Sequence, residues 1–361
     1  MEIDYITTGY YPIIGGTESL VKNLAERMVL RGHYVTVHTS TYNPNYTGPL
    51  IRNEIINGVH VVRYKLLPFY VFLPKIRSPE IIHLFSYGDN FAIQSLLHHS
   101  SKFVSSPIGE EIYSQEKFRN RLIGGRILNY SNVIFAQTTY EKIQLNKIYG
   151  ISLSKIIIVP AGVNTEDFSP PNTSNVREDI LKVCTEKYFI RLARLDRFKK
   201  LEFGIILLTH LQDVKYVIAG PLDDINYLQE LKELSRKLKV TDRVIFTGRV
   251  NEDEKRLLFQ KSQFYLIANH ETFGGATIEA MAQGATIIAP NIEEYRDIVV
   301  DHVNSLIYEY DSIEDCAKKV KMLNESIGLR REMGENGKHL AMERFSWDSL
   351  ADITENTYMS L

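Results

Sequence analysis

The amino-acid sequence predicts two α/β domains, each built on a parallel sheet with helices on both faces. Three observations support this fold class. The chain of 361 residues is longer than one hydrophobic core usually serves. Short apolar runs alternate with amphipathic helical patterns along the whole sequence. The segment "DFSPPNTSNVRED" interrupts this alternation with two prolines among Asn, Thr and Ser, which is typical of a linker, so we place the domain boundary after residue 168.

In the first domain, residues 1–168, β-branched apolar runs predict the strands "EIDYIT", "YVTVHTS", "VHVVRY", "EIIHLF", "NVIFAQ" and "IIIVPA". The clearest helix is "TESLVKNLAERMVLRG", where Leu20, Leu24 and Met28 recur on one face and Gly32 stands at the expected end. Gly15 and Gly16, in the preceding "PIIGGTE", have two interpretations. They allow a tight turn with positive φ, or they let a phosphate or an acceptor molecule approach the backbone.

In the second domain, residues 169–342, the predicted strands are "KYFIRLAR", "VKYVIAG", "RVIFTG", "FYLIA" and "ATIIAP". The most informative segment is "ETFGGATIEAMAQGATIIAPN". We predict a strand over Gln263–Ala268, a glycine loop, and a helix over Thr277–Gln283 that ends at Gly284. Ligands of open parallel sheets bind at the carboxyl ends of strands, which is where this loop lies.

Two glutamates frame that loop. Glu279 is predicted in the first helical turn, where the helix dipole stabilises a carboxylate that can accept hydrogen bonds from two hydroxyls, such as those of a ribose. Glu271 follows the strand and can reach a second polar group of the same ligand. Gly274 and Gly275 let the backbone come close to an anion. The alternative is that Glu279 only favours a helix start and Glu271 is a solvated loop residue.

The segment from Glu271 to Asn291 resembles the Glu-x7-Glu signature of the retaining glycosyltransferases of family 4. The resemblance extends over nearly the whole chain. It includes the first glycine loop and helix, "IIIVPAGVNTEDFSP", "RLARLDRFKKLEFGI", "DRVIFTGRVNEDE" and the terminal "ERFSWDSLADITENTY". The family implies the GT-B fold, in which two Rossmann-like domains face each other across a cleft. It also implies that residues 343–361 form a helix crossing back to the first domain.

The resemblance also implies roles for individual residues. Glu279 would hold the ribose, and Glu271 would contact the donor sugar. Arg194 and Lys199 would contact the diphosphate, where fixed cations stabilise the charge of the leaving group. The catalytic set would therefore be Glu271, Arg194 and Lys199. The nucleotide-sugar-binding residues of the prediction are Gly15, Gly16, Arg194, Lys199, Phe273, Gly274, Gly275 and Glu279.

The implied reaction moves a hexose from a nucleoside diphosphate sugar to a hydroxyl acceptor with retention of configuration. The donor would be a UDP-sugar or a GDP-sugar, and the acceptor a glycan, a lipid-linked sugar or a glycolipid. The sequence shows no Asp-x-Asp and no His/Cys cluster with ligand spacing, so we expect neither a metal nor a further cofactor. The rival functions are a nucleotide-sugar epimerase and a catalytically weak nucleotide-sugar-binding protein. A dinucleotide dehydrogenase is disfavoured because "PIIGGTE" is not Gly-x-Gly-x-x-Gly.

Three departures from the family pattern concern the site. Lys200 follows Lys199 where the family often has glycine. Ile108, in "SSPIG", stands where many members have a histidine facing the donor sugar, and Phe85 stands where a second histidine is common. The residues that could replace the missing histidine are His83, Glu110 and Glu111. The alternative for His83, as for His98 and His99, is an ordinary surface or core histidine.

Composition and charge suggest where the protein works. The net charge is −2, 44% of residues are apolar, no apolar run is long enough to span a bilayer, and the acidic N-terminus does not resemble a signal peptide. Cys184 and Cys316 match no metal or redox spacing. We therefore expect a cytoplasmic protein that binds no nucleic acid. Residues 1–160 hold 16 Lys and Arg against 11 Asp and Glu, which reflects either an ordinary surface or an anionic partner.

The segment "RYKLLPFYVFLPKIR", residues 63–77, has an apolar aromatic centre between basic ends. It is either a buried strand and turn or a patch that lies in a membrane interface. Residues 117–130 add further basic side chains, among them Arg119, Arg121 and Arg126. Together these segments predict peripheral contact of the first domain with an anionic membrane surface, at the inner face of the cell membrane.

Overall fold

The computed structural model describes residues 1–13, 15–41, 48–64, 79–85, 101–107, 118–270 and 273–361, with backbone alone for residues 118–123 and for residue 165. The chain forms two compact units. The first comprises Met1–Gly162 and Trp347–Leu361, and the second comprises Val163–Ser346. The boundaries predicted from the sequence lie after residues 168 and 342 instead. Val163 belongs to the second unit because its N–H donates to the carbonyl of Phe345 at 2.8 Å.

The first unit contains an eight-stranded sheet among the described residues. Its strands are β1 (Glu2–Ile6), β2 (Tyr34–Ser40), β3 (Asn53–Ile56), β4 (Val59–Tyr64), β5 (Ile81–Phe85), β6 (Lys102–Ser106), β7 (Val133–Ala136) and β8 (Ile156–Ile158). Their order is β3-β4-β2-β1-β5-β6-β7-β8, and all pairs are parallel except β3 with β4. Because β2 and β5 flank β1, the connections reverse direction beside β1, and the loop after β1 lies at this switch point.

Four helices of the described chain accompany this sheet: α1 (Gly16–Leu30), α2 (Phe118–Tyr130), α3 (Thr139–Tyr149) and α11 (Trp347–Met359). Leu20, Leu24 and Met28 of α1 are buried in the core, as their spacing predicts. Gly32 has φ of +86°, the left-handed conformation expected after a helix end. The C-terminal helix α11 packs on α1, and Glu355 accepts a 2.6 Å hydrogen bond from Arg31.

The second unit contains a six-stranded parallel sheet in the order β11-β10-β9-β12-β13-β14. These strands are β9 (Tyr188–Leu192), β10 (Lys215–Ala219), β11 (Val244–Gly248), β12 (Tyr265–Leu266), β13 (Ile287–Pro290) and β14 (Ser305–Tyr308). The helices are α4 (Glu178–Val183), α5 (Leu201–Leu207), α6 (Ile225–Lys237), α7 (Glu252–Lys261), α8 (Gly275–Ala282), α9 (Ile313–Glu325) and α10 (Ile327–Phe345).

Two apolar clusters cover the second sheet, which explains why its strands read as continuous apolar runs. Strand β12 is shorter than the predicted Gln263–Ala268, although Ile267 and Ala268 are buried beyond its end. The chain runs from β9 through β10 to β11 at one edge and then returns to β12 on the other side of β9. The switch point of this sheet therefore lies between β9 and β12.

Candidate active site

The loops that follow β9 and β12 leave the sheet side by side, because the two strands are parallel neighbours. The β9 loop carries Arg194 and Lys199, and the β12 loop leads through Gly274 and Gly275 into α8. This places the predicted cations and the predicted glycine loop at the switch point, where open α/β sheets bind their ligands. Glu271 lies outside the described residues, so its contact with a donor sugar stays a prediction.

The glycines of the β12 loop form the start of α8. Gly274 is the N-cap residue, and a Cβ there would lie 2.6 Å from Thr277 Oγ1 and 3.2 Å from the Tyr295 ring, so a larger residue would displace the Thr277 side chain. Gly275 is the first helical residue, and a Cβ there would meet nothing within 4 Å, so its outer side is open. Phe273 packs its ring near that of Phe345, with centroids 6.3 Å apart, which anchors the loop to the core.

Glu279 is not in the first turn of its helix, so that prediction is wrong. Helix α8 begins at Gly275, two residues before the predicted start, because the two glycines supply its N-cap and first positions. Its first turn holds no acidic residue. The partner of the Glu279 carboxylate is instead a side chain from α7, since Lys255 Nζ lies 3.0 Å from Glu279 Oε1.

Burial raises the pKa of Glu279, and the ammonium of Lys255 acts in the opposite direction. Although burial alone would lower the pKa of Lys255, the carboxylates of Glu279 and Glu252 raise it. The side chain of Glu279 is 29% exposed, against 12% for Lys255. The side chain is therefore held by Lys255 and partly open to solvent, so it can meet a ligand that donates hydrogen bonds.

Basic residues of the β9 loop have different partners. Arg194 is 69% exposed and forms a 3.1 Å ion pair with Asp196, whose side chain also caps the short 3₁₀ turn Arg197–Lys199. Lys200 Nζ lies 2.7 Å from Asp311 Oδ1 and donates to Tyr310 Oη at 2.7 Å. Lys200 is thus bound within its own unit.

Lys200 also has φ of +48°, in the left-handed region that favours glycine. The backbone at this position explains why glycine is common after the lysine in the family that the sequence resembles. Here the bonds to Asp311 and Tyr310 offset the strain of a side chain in that conformation.

Sequence reasoning missed two side chains that support the β12 loop. Arg191, on β9, is 2% exposed and donates to Tyr265 Oη at 2.7 Å and to Asn269 Oδ1 at 2.8 Å. It thereby joins β9 to the first residues of the β12 loop. A basic residue within the apolar run "YFIRLA" was a signal of this role, whereas Lys255 lies in the charged stretch "NEDEKR" and looks like a solvated residue.

In the first unit, the glycine loop after β1 encloses a carboxylate. A Cβ on Gly9 would lie 2.4 Å from Glu18 Oε1, and a Cβ on Gly15 would lie 2.3 Å from Glu18 Oε2. Gly15 has φ of −169°, so the positive-φ turn is not the reason for this glycine. Gly16 faces open space. The negative charge of Glu18 disfavours a phosphate beside Gly15 and favours a ligand that donates hydroxyl protons.

His83 does not replace the missing sugar-facing histidine. It is fully buried, with Nε2 2.7 Å from Ser106 Oγ and Nδ1 2.5 Å from Tyr358 Oη, and its ring stacks on Phe85. Burial lowers the pKa of this imidazole well below its usual range. The remaining predictions for this region concern Ile108, Glu110, Glu111, His98 and His99, which lie outside the described residues.

Arg63 does not fit the prediction that the 63–77 segment contacts a membrane through its basic ends. Arg63, at the basic start of the 63–77 segment, has no exposed side chain, because it lies within β4 and donates to the carbonyls of Ile51 and Tyr11, each at 2.6 Å. Residues 65–77 lie outside the described part of the chain. On α2, Arg126 is exposed. No helix in the described ranges is both long and apolar enough to cross a membrane.

Two family models match the chain. The model described as Glycosyltransferase Family 4 matches residues 14–167, and the model described as Glycosyl transferases group 1 matches residues 172–340. An uncharacterised glycosyltransferase of Methanocaldococcus jannaschii is 28% identical over 99% of this chain and 98% of its own length. The alpha-monoglucosyldiacylglycerol synthase of Streptococcus pneumoniae is 22% identical over 85% of this chain and 75% of its length.

Solved structures show the same fold. Sucrose-phosphate synthase from Thermosynechococcus elongatus superposes with a TM-score of 0.82 at 17% identity, covering 99% of this chain and 98% of its own. Anabaena HepE in complex with UDP-glucose has a TM-score of 0.80 at 16% identity, with both chains covered completely. Together the two family models match a large part of each unit. This chain therefore belongs to the family 4 glycosyltransferases and has the GT-B fold.

Proposed function

We propose that this chain transfers a hexose from a nucleoside diphosphate sugar to a hydroxyl acceptor, with retention of the anomeric configuration and without a metal ion. The observation that carries the proposal is the position of Glu279. Its side chain is partly open to solvent on the helix that follows the β12 glycine loop, and β12 is the parallel neighbour of β9, whose loop carries Arg194 and Lys199. A ribose diol matches the carboxylate, and a diphosphate matches the cations and the open backbone at Gly275.

The chemistry follows from the charge that develops. As the bond between the sugar and the diphosphate breaks, negative charge grows on the leaving diphosphate, and the guanidinium of Arg194 and the ammonium of Lys199 would stabilise it. The departing phosphate oxygen would help to deprotonate the incoming hydroxyl on the same face of the sugar. No strong protein base is then needed, and the protein contributes orientation and charge stabilisation.

The donor is proposed to be a UDP-sugar or a GDP-sugar. Anabaena HepE, which shares the fold, was solved with UDP-glucose, which favours testing uridine donors first. The acceptor is proposed to be a glycan, a lipid-linked sugar or a glycolipid. The relative from Streptococcus pneumoniae, named as a synthase of a glucosyl diacylglycerol, favours testing glycolipid acceptors first. The Glu18 carboxylate in the first unit suits an acceptor that presents several hydroxyls.

A thermal-shift screen with UDP, GDP, ADP and their sugars identifies the donor, since a ligand of the folded state raises the melting temperature. Incubating the matching sugar nucleotide with each acceptor class then separates transfer from epimerisation and from binding alone, and NMR of the product gives its anomeric configuration.

We expect Glu279→Ala to abolish the thermal shift by nucleotide and to reduce transfer, while Glu335→Ala, at an exposed position on α10, changes neither. Unchanged nucleotide affinity in Glu279→Ala would contradict the proposal.

Peripheral membrane contact by the first unit, on the cytoplasmic side, is part of the same proposal. Its support is the exposed Arg126 on α2 and the surplus of basic residues in the first 160 positions. Co-sedimentation with vesicles of phosphatidylglycerol and phosphatidylcholine at low salt is the test, with pure phosphatidylcholine vesicles as the control. Sedimentation that is no greater with the anionic vesicles would refute membrane contact and leave the transfer reaction untouched.

A further inference from the structure

The ion pair of Lys255 and Glu279 has the geometry of a support for the carboxylate. Lys255 Nζ, on α7, lies 3.0 Å from Glu279 Oε1 on α8 and 2.8 Å from Glu252 Oε2 on its own helix. The lysine is the more buried partner, at 12% exposure against 29%. The pair joins two helices that pack against each other. The Glu279 carboxylate therefore cannot rotate without losing its contact with Lys255.

The charges around Glu279 are otherwise unfavourable to a carboxylate. Asp167, in the 3₁₀ turn Thr165–Phe168, and Glu252 on α7 both oppose its ionisation. Arg256, on α7, forms an ion pair with Asp253 and donates to the Glu166 carbonyl at 2.9 Å. Lys255 is the cation within hydrogen-bond distance of Glu279 in the described part of the chain. Removing it would leave a partly buried carboxyl group near two other acids, which favours the protonated form.

We propose that Lys255 is the positioning residue for ribose recognition: it holds Glu279 ionised and in one orientation, so that the carboxylate accepts hydrogen bonds from both ribose hydroxyls. This inference rests on the proposed function, in which Glu279 binds the ribose. A protonated carboxyl group has lost an acceptor site to its own O–H, so it pairs less well with a diol. Lys255 thereby sets how strongly the site prefers a ribose over a 2′-deoxyribose.

The test compares UDP with 2′-deoxy-UDP by isothermal titration calorimetry between pH 6 and pH 9, or GDP with 2′-deoxy-GDP if the screen selects guanosine. For the wild type we expect a preference for the ribonucleotide of about tenfold or more, nearly constant with pH, because hydrogen bonds to charged groups are the strong ones. Lys255→Met should reduce this preference to about threefold or less at pH 6. Lys255→Arg, which keeps the cation, should restore it.

The sign of the pH effect follows from the carboxyl group. In Lys255→Met the pKa of Glu279 is expected to rise further, so the ionised fraction, and with it the affinity for the ribonucleotide, should increase as the pH rises. The affinity for the deoxynucleotide should change less. If Lys255→Met does not fold, we expect the same pH dependence from Lys255→Gln, which keeps a hydrogen-bond donor without the charge.

The outcomes separate this inference from the proposed function. A ribose preference that depends on Glu279 but is unchanged and constant with pH in Lys255→Met overturns the role of Lys255 alone. An equal loss of affinity for both nucleotides in Lys255→Met, without rescue by Lys255→Arg, also overturns it, because that result reflects general damage. A ribose preference that survives Glu279→Ala overturns the proposed function, and the inference with it.

Discussion

Tyr358, on the last helix of the chain, hydrogen-bonds with His83 in the middle of the first sheet, with Oη 2.5 Å from Nδ1. Tyr358 also donates to Tyr5 Oη at 3.2 Å, so it accepts from His83, and Nε2 of His83 accepts from Ser106. The side chains in this hydrogen-bond network, Tyr358, Tyr5, His83 and Ser106, are all buried. One polar network within the apolar core thus joins the N-terminal strand, two middle strands and the C-terminal helix.

Replacing Tyr358 by Phe should destabilise the first unit by about 1–3 kcal/mol, because it leaves the buried Nδ1–H of His83 without an acceptor. Trp347 is the single tryptophan of the sequence and is buried in this unit, so its fluorescence during urea unfolding reports the change. Tyr34→Phe, at a 61% exposed position, is the matched control and should have little effect. Equal unfolding midpoints for the two variants would refute the importance of the network.

Replacing Gly15 by Ala should raise the acceptor KM, because the new Cβ displaces the carboxylate of Glu18. Gly9→Ala should produce the same defect, since its Cβ meets the other oxygen of the same carboxylate. Nucleotide-induced thermal shifts should persist in both, because the nucleotide is proposed to bind the second unit. Gly16→Ala, with nothing within 4 Å of its Cβ, is the steric control and should leave the melting temperature unchanged. A normal acceptor KM in both Gly9→Ala and Gly15→Ala would count against a role for Glu18.

The two adjacent lysines of the β9 loop should respond differently to substitution. Lys200→Met removes the bonds to Asp311 and Tyr310, so we expect lower stability, by about 0.5–1.5 kcal/mol, and transfer within about twofold of the wild type. Lys199→Met should instead reduce kcat by roughly 10- to 1000-fold, if its ammonium stabilises the leaving diphosphate. Initial rates and urea unfolding measure the two effects. The reverse pattern would assign the diphosphate contact to Lys200.

Glu141, on α3, should make the first unit less stable as the pH rises. It is fully buried, and burial raises the pKa of its carboxyl group to about 8 from an ordinary 4.5, although the backbone N–H groups of Gln137 and Thr138 act to lower it. Between these values the unfolded chain loses the proton and the folded protein keeps it. The free energy of unfolding therefore falls through this window, by up to about 1.4 kcal/mol per pH unit.

Glu141→Gln removes this titration, so its stability relative to the wild type should increase from pH 5 to pH 8 by about 2–4 kcal/mol. Trp347 fluorescence during urea unfolding at each pH gives the measurement. Glu335→Gln, at an exposed site, should show no such trend. Parallel pH profiles for the wild type and Glu141→Gln would show that the Glu141 carboxyl group titrates normally in the folded protein.

Local patterns account for the parts of the fold that were predictable. The three- and four-residue spacing of Leu20, Leu24 and Met28 identifies α1, since one face of a helix must be buried. Gly32 and Gly284 mark helix ends because both adopt positive φ, at +86° and +74°. The order of strand, glycine loop and helix around Gly274 was likewise readable, because each step depends on neighbouring residues.

The features that sequence reasoning missed depend on contacts between distant residues. The pair of Lys255 and Glu279 joins two helices, and neither residue carries a local sign of the other. Glu279 was placed in the first helical turn because the sequence does not show whether a glycine pair precedes a helix or begins it. The sequence leaves His83 available for catalysis, because its partner Tyr358 is 275 residues away along the chain.

The return of the C-terminal helix α11 to the first unit affects the protein during its synthesis. Trp347, Leu350 and Ala351 belong to the core around β1, so that core lacks part of its packing until the ribosome has made residues 347–351. The second unit, residues 163–346, is complete before then. At usual rates of translation the nascent first unit waits roughly ten to forty seconds for its last helix. Chaperones that bind exposed apolar surface would therefore have access to this part of the first unit during that interval.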